Sequence, residues 1–132
     1  MSKLNPVVHF EMPYENNERL TKFYESAFGW KMQNMGKEMG DYIIAVTSEV
    51  DENNKNKTPG TINGGFFPRN PEVSQYPSFV IAVENIAESM KNIKNAGGNI
   101  LGEPMMIPNV GQFVSFTDSE GNRVSILQPS SM

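Results

Sequence analysis

The two halves of this sequence predict the same order of elements: one strand, one helix and then three further strands. Gly29 and Gly98 follow the two predicted helices and lie 69 residues apart. The same shift takes His9, near the start of the first strand, to Ser78 at the start of the second strand–helix pair. A repeat of this kind predicts that the chain folds as two similar modules.

The ends of the two halves are also alike, although their spacing is shorter. The segment GTINGGFFP (60–68) parallels GNRVSILQP (121–129) with a shift of 61 residues. The shift falls because the first half contains a longer polar segment, SEVDENNKNKTPG (48–60), which has no apolar periodicity and is predicted to be a loop.

In the first half, residues 6–12 are rich in Val, Phe and His and predict a strand. The following segment predicts a helix, because apolar residues recur on one helical face, at Leu20, Phe23, Tyr24, Ala27 and Phe28. Gly29 is typical of the end of a helix. The remaining strands of this half are predicted at residues 30–33, 42–47 and 61–67.

In the second half, SFVIAV (78–83) predicts a strand and ENIAESMKNIKNAGG (84–98) predicts a helix. Asn85 is the expected N-cap, and the glycine pair at 97–98 is the expected stop. The apolar face of this helix is predicted to carry Ile86, Met90 and Ile93. Strands follow at residues 100–107, 112–117 and 123–128.

These elements predict a single α+β domain over residues 1–132, made of two βαβββ modules. Module 1 is predicted at about residues 5–69, a Pro- and Asn-rich linker at about 70–76, and module 2 at about 77–129. The helices are expected on one side of a curved sheet.

Composition excludes several kinds of function. The chain has no cysteine, so disulfides, thiolate metal sites and cysteine nucleophiles are ruled out. A net charge of −4 without a basic stripe argues against a nucleic-acid partner. No apolar run suits a signal peptide or a membrane span, which predicts a cytoplasmic protein without a membrane partner.

Three segments resemble one family. They are HFEMPYENNERLTKFYESAFGW (9–30), VENIAESMKNIKNAGGNI (83–100) and FVSFTDSEGNRVSILQP (113–129). Together they resemble the vicinal oxygen chelate superfamily, which includes glyoxalase I, bleomycin-resistance proteins and extradiol dioxygenases. The resemblance implies a cupped, barrel-like mixed sheet around a cleft, a small-molecule ligand and a homodimer.

The resemblance also implies four inward strand positions that hold a divalent metal in the metal-dependent members. In this sequence they are matched by His9, Gly64, Ser78 and Ser125. Only His9 is a plausible metal ligand, and a stable site needs three or four. We therefore expect no metal and no other cofactor. A site built from His9, Glu11 and a third carboxylate (Glu38, Asp41 or Glu103) is the less favoured alternative.

His9 and Glu11 lie two residues apart, so a strand places them on one face, with Phe10 and Met12 against the helix. The pair remains a candidate for general acid–base catalysis, and Glu11 is expected to raise the pKa of His9. Arg123 is expected either to pair with Glu11, to bind a substrate carboxylate, or to point to solvent. The candidate ligand-binding residues are His9, Glu11, Phe66, Ser78, Phe113, Arg123 and Ser125.

Three functions agree with these features. The preferred one is a glyoxalase- or bleomycin-resistance-like domain without the family metal, which binds a small, partly apolar molecule in its cleft. The second is a lyase, isomerase or dioxygenase that uses His9 and Glu11 to bind a metal or move protons. The third is a dimeric regulatory module with a vestigial cleft. Fold-level resemblance does not select a particular reaction.

Overall fold

The computed structural model describes residues 4–130, which form two compact units. The N-terminal unit comprises residues 9–77. The C-terminal unit comprises residues 78–130 together with residues 4–8. These first residues were predicted to belong to module 1. They group with the C-terminal unit, where the backbone N–H of Ala82 donates to the carbonyl of Pro6 at 2.9 Å.

The elements of the N-terminal unit follow the predicted order. The strand β1 runs over Val7–Tyr14, and its residues from His9 onward belong to this unit. The others are α1 (Asn17–Phe28), β2 (Lys31–Asn34), a short 3₁₀ helix (Lys37–Met39), β3 (Ile43–Val46) and β4 (Asn63–Pro68). The strands pair in the order β2-β3-β4-β1, with β1 parallel to β4 and the other pairs antiparallel.

Capping residues at both ends define α1. The side chain of Asn16 accepts a hydrogen bond from the backbone N–H of Arg19 at 2.9 Å. Gly29 adopts a left-handed conformation with φ of 71°, which a glycine tolerates without strain. The predicted apolar face is only partly covered within the described residues, because Phe23 and Phe28 remain 57% and 64% exposed.

The core of the N-terminal unit lies between α1 and one face of its sheet. Its fully buried members come from three strands, whereas α1 contributes side chains that are only partly buried. Tyr24 stacks on Trp30 with ring centroids 4.6 Å apart. The buried residues are Tyr14, Ile43, Ala45 and Phe66, and packed against them are Phe10, Met12, Leu20, Tyr24, Trp30 and Met32.

The C-terminal unit repeats this arrangement. Its elements are β5 (Ser78–Ala82), α2 (Ile86–Asn95), β6 (Asn99–Ile107), β7 (Gly111–Thr117) and β8 (Arg123–Pro129). The strand order is β5-β8-β7-β6, with β5 parallel to β8. Each unit thus combines one α-helix with a four-stranded mixed sheet, and the predicted α+β class and βαβββ order are confirmed.

Two side chains cap the start of α2. Asn85 is the N-cap, as predicted, and accepts from the backbone N–H of Glu88 at 2.9 Å. Gln128, on β8, accepts from the backbone N–H of Ile86 at 2.8 Å. The helix packs its apolar side on a buried cluster from the sheet, which includes Val114, Phe116, Val124 and Ile126.

Within residues 4–130, every helix is too short or too polar to span a lipid bilayer.

Candidate functional site

The sheet of the N-terminal unit has a second face, which points away from α1 and which we call the His9 face. Among the residues of β1 and β4 that alternate with the core residues, it includes His9, Glu11, Gly65 and Phe67. Glu11 lies beside Gly65 in the parallel register of these strands. The predicted sidedness is confirmed for β1, because Phe10 and Met12 pack in the core on the helix side.

Tyr42, just before β3, joins His9 to Glu11 through hydrogen bonds. The Nε2 atom of His9 lies 2.9 Å from the Tyr42 hydroxyl, which donates to Oε2 of Glu11 at 3.2 Å. Tyrosine has a single hydroxyl proton, so the oxygen of Tyr42 accepts from His9 when its proton is given to Glu11. This arrangement requires the proton of the neutral imidazole on Nε2 and leaves Nδ1 as an acceptor.

Burial controls the electrostatics of this chain of hydrogen bonds. It lowers the pKa of His9 from 6.5 to about 4, because a partly buried imidazolium loses solvation. The sequence-based prediction that Glu11 raises the pKa of His9 was wrong, because desolvation by burial lowers it. Burial also raises the pKa of Tyr42, and the charge and hydrogen bond of Glu11 raise it further. His9 and Tyr42 are therefore both neutral at pH 7.

A glycine makes room for the Tyr42 ring. A Cβ atom added at Gly65 would collide with the hydroxyl and ring carbons of Tyr42. A close approach of this kind is a common reason for glycine within a strand. A glycine at position 65 is thus a sequence signal for the close approach, although it does not reveal which side chain approaches it.

Two expectations for β4 need correction. Gly64 was matched to an inward ligand position, but it faces the helix side, where an added Cβ would collide with the ring of Phe10. Phe66 was a candidate ligand-binding residue, but it is 1% exposed and packs in the core, with its ring centroid 5.2 Å from that of Tyr24. Strand alternation places Gly65 and Phe67 on the His9 face instead.

The remaining candidates lie in the C-terminal unit, on the sheet face that points away from α2. The residues that alternate with them along the strands (Ile81, Val114, Val124 and Ile126) pack against the α2 side. Ser78, Phe113 and Arg123 are partly exposed there, and Arg123 lies opposite Thr117 in the β7–β8 register. Ser125 is 3% exposed, and its hydroxyl lies 2.8 Å from that of Ser115. A role for these four residues in ligand binding stays a prediction.

Comparison with known families identifies the chain. Residues 7–126 match the model of the Glyoxalase/Bleomycin resistance protein/Dioxygenase superfamily. The chain belongs to this superfamily. The resemblance noted from the sequence motifs is thereby confirmed.

Related proteins agree with this assignment. A glyoxylase-like domain-containing protein of Didymella fabae is 29% identical over 124 residues, which cover 88% of each chain. A putative glyoxylase, CFP32, of Mycobacterium tuberculosis (strain CDC 1551 / Oshkosh) is 30% identical over 109 residues; this match covers 82% of the present chain but only 38% of that protein. A selenomethionine methylmalonyl-CoA epimerase superposes with a TM-score of 0.71 at 14% identity, over 99% of this chain and 100% of the other, which shows the shared fold.

The donor set does not fit the family's metal. Within residues 4–130, no three His, Cys, Asp or Glu side chains lie close enough together to hold an ion. The imidazole of His9 uses Nε2 for Tyr42, and the hydroxyl of Ser125 is bonded to Ser115. Serine hydroxyls are also poor substitutes for the imidazole and carboxylate ligands that such ions select.

Proposed function

We propose that this chain is a metal-independent, small-molecule-binding member of the superfamily and that its ligand contacts the His9 face. The observation that carries this proposal is the hydrogen-bonded chain His9–Tyr42–Glu11. Its hydrogen bonds engage the three side chains with one another. Fixed polar groups beside apolar side chains are typical of ligand sites.

The chemistry of the His9 face defines the ligand class. The Nδ1 atom of neutral His9 accepts a hydrogen bond, so the ligand presents a hydroxyl or N–H donor. The Tyr42 hydroxyl and the Glu11 carboxylate add further polar groups beside His9. Phe67 and Ile44, which lies opposite Gly65, provide apolar contacts for the remainder of the molecule.

The test is a ligand screen on protein dialysed against EDTA, with the unfolding temperature as the readout. A ligand at a hundredfold excess over its Kd stabilises the folded state by about 2.7 kcal/mol. We expect small, neutral, partly apolar hydrogen-bond donors to raise the unfolding temperature in the presence of EDTA. Calorimetric titration of the best compound should give an affinity that falls about tenfold in Tyr42→Phe and His9→Gln.

The exposed substitution Lys91→Gln, on α2, is the matched control and should leave the affinity unchanged. Stoichiometric nickel, zinc, iron or manganese in freshly purified protein, abolished by His9→Ala, would overturn the proposal. Ligand binding that disappears on dialysis against EDTA and returns with one of these ions would also overturn it. A broad screen in which no compound raises the unfolding temperature favours the regulatory module with a vestigial cleft.

An acid–base enzyme is the second candidate, and the bond from Tyr42 to Glu11 favours it. Glu11 would accept a substrate proton as the general base. The hydroxyl of Tyr42 would hold the Glu11 side chain in position through its hydrogen bond. The expected class is a lyase or isomerase. Glu11→Gln distinguishes the two candidates, because it abolishes turnover in the enzyme but only changes affinity in the binding protein.

We also propose that the chain acts in the cytoplasm as a homodimer. Light scattering on the purified protein measures the assembly directly: a mass of about twice 14.7 kDa supports the dimer and a monomer mass contradicts it.

A further inference from the structure

An open cavity lies at the surface of the N-terminal unit, at the junction of the end of β1, the start of α1 and the end of β4. Its volume is about 330 Å³, and its walls include Tyr14, Glu15, Arg19, Leu20, Phe23 and Arg69. Small-molecule sites begin at about this size, roughly 300 Å³. Tyr14 belongs to the helix side of β1, which is opposite to the face of His9 and Glu11. We call this space the Arg69 cavity.

Two guanidinium groups share a single carboxylate in this cavity. Nη1 of Arg69 lies 3.2 Å from Oε2 of Glu15, and Nη2 of Arg19 lies 4.0 Å from Oε1 of the same residue. The three side chains leave one positive charge in a chain whose net charge is −4. Exposed ion pairs of this kind contribute little to stability, so another anion can replace Glu15 at small cost.

The backbone around these arginines is fixed by hydrogen bonds. The backbone N–H of Arg69 donates to the carbonyl of Tyr14 at 2.8 Å, and the backbone N–H of Arg19 donates to the side chain of Asn16 at 2.9 Å. The guanidinium groups therefore extend from defined positions, that of Arg69 directly after β4 and that of Arg19 on α1. A planar guanidinium binds a carboxylate or phosphate through two parallel hydrogen bonds, which a lysine does not.

The apolar part of the wall comes from α1. Leu20 and Phe23 line the cavity, and the side chain of Phe23 is 57% exposed. A large aromatic side chain exposed beside two cationic groups suits a molecule with an acidic group at one end and an apolar body at the other.

We propose that the Arg69 cavity binds a small amphiphilic anion, separately from any ligand of the His9 face. Its carboxylate or phosphate group takes the place of Glu15 on Arg69 and Arg19. Its apolar portion packs on Phe23 and Leu20. Glu15 then acts as an internal competitor that the ligand displaces.

Calorimetric titration with four probes tests this proposal: 4-phenylbutyrate, phenyl phosphate, the neutral 4-phenylbutanamide and inorganic phosphate. We expect the two amphiphilic acids to bind, with the tighter one identifying the preferred acidic group, and the amide to bind at least about tenfold more weakly. Inorganic phosphate that binds as tightly as phenyl phosphate contradicts the apolar contact. Failure of both amphiphilic acids to bind overturns the proposal.

Two substitutions with opposite expected effects on affinity distinguish a ligand-binding role of Arg69 and Glu15 from a purely structural one. Arg69→Gln should weaken binding about tenfold, whereas Glu15→Gln should tighten it by removing the competitor. A purely structural ion pair predicts instead that both substitutions lower the unfolding temperature and leave affinity unchanged. Arg69→Lys keeps the charge and serves if Arg69→Gln fails to fold; it should still weaken binding. Tyr42→Phe should leave binding of these acids unchanged, which keeps this result distinct from that of the His9 face.

Discussion

The single histidine of this chain predicts a specific loss of stability on acidification. The pKa of His9 is about 4 in the folded state, against 6.5 for an ordinary histidine. The unfolded chain therefore binds more protons between these values, and the free energy of unfolding must fall as the pH falls through this range. From pH 7 to pH 5 the difference in proton binding amounts to about 2 kcal/mol for this one group.

Urea unfolding at pH 7, 6 and 5 measures this loss, with the fluorescence of Trp30 as the probe. Trp30 is a suitable reporter because it is the only tryptophan and packs in the core of the same unit as His9. His9→Gln is the matched control, since glutamine keeps an N–H donor for Tyr42 but does not titrate. The variant should lose about 2 kcal/mol less than the wild type over this pH range. Equal losses in both proteins would show instead that His9 titrates normally in the folded state.

Two further predictions use matched pairs of substitutions. Gly65→Ala forces Tyr42 off the His9 face and should weaken ligand binding as Tyr42→Phe does. Gly64→Ala instead strains the core on the helix side. It should lower the free energy of unfolding by about 1–3 kcal/mol without that selective loss of binding. Equal effects of the two on ligand affinity in calorimetric titrations would contradict the assigned faces. Ser125→Ala leaves the buried hydroxyl of Ser115 without its partner and should lower the free energy of unfolding, measured in urea, by about 1–3 kcal/mol. Substitution of both Ser115 and Ser125 by alanine should lower it by less than the sum of the two single substitutions. Simple additivity of the costs would show that the two hydroxyls do not interact.

The fold was predictable because its signals are local. The helix of the N-terminal unit begins after an asparagine that caps it and ends at a glycine with positive φ, and both features can be recognised in sequence. The exposure of Phe23 and Phe28 was not predictable, since periodicity shows which residues share a helix face but not what covers that face. The cap that Gln128 provides for α2 joins residues 42 positions apart, and no local pattern indicates such a contact.

The site was only partly predictable, for a similar reason. Alternation along β1 correctly placed His9 and Glu11 together on one face, because that depends only on the geometry of one strand. The internal shift placed Gly64 rather than Gly65 on the same face, since a one-residue error in matching two strands reverses the face. Tyr42 lies 33 residues from His9, and its role became visible only once β3 and β4 were paired.

We propose that His9 is a neutral member of a hydrogen-bonded chain and not a metal ligand. Nuclear magnetic resonance of protein labelled with ¹⁵N-histidine tests this directly, because a single imidazole contributes to the spectrum. We predict the Nε2–H tautomer, a titration near pH 4 rather than near 6.5, and resonances that equimolar Ni²⁺ or Co²⁺ leaves unchanged at pH 7. Paramagnetic broadening or shift of the imidazole signals at one equivalent of metal would show that His9 binds the ion, and a titration at the ordinary pKa of histidine would show that it is not buried as a neutral group.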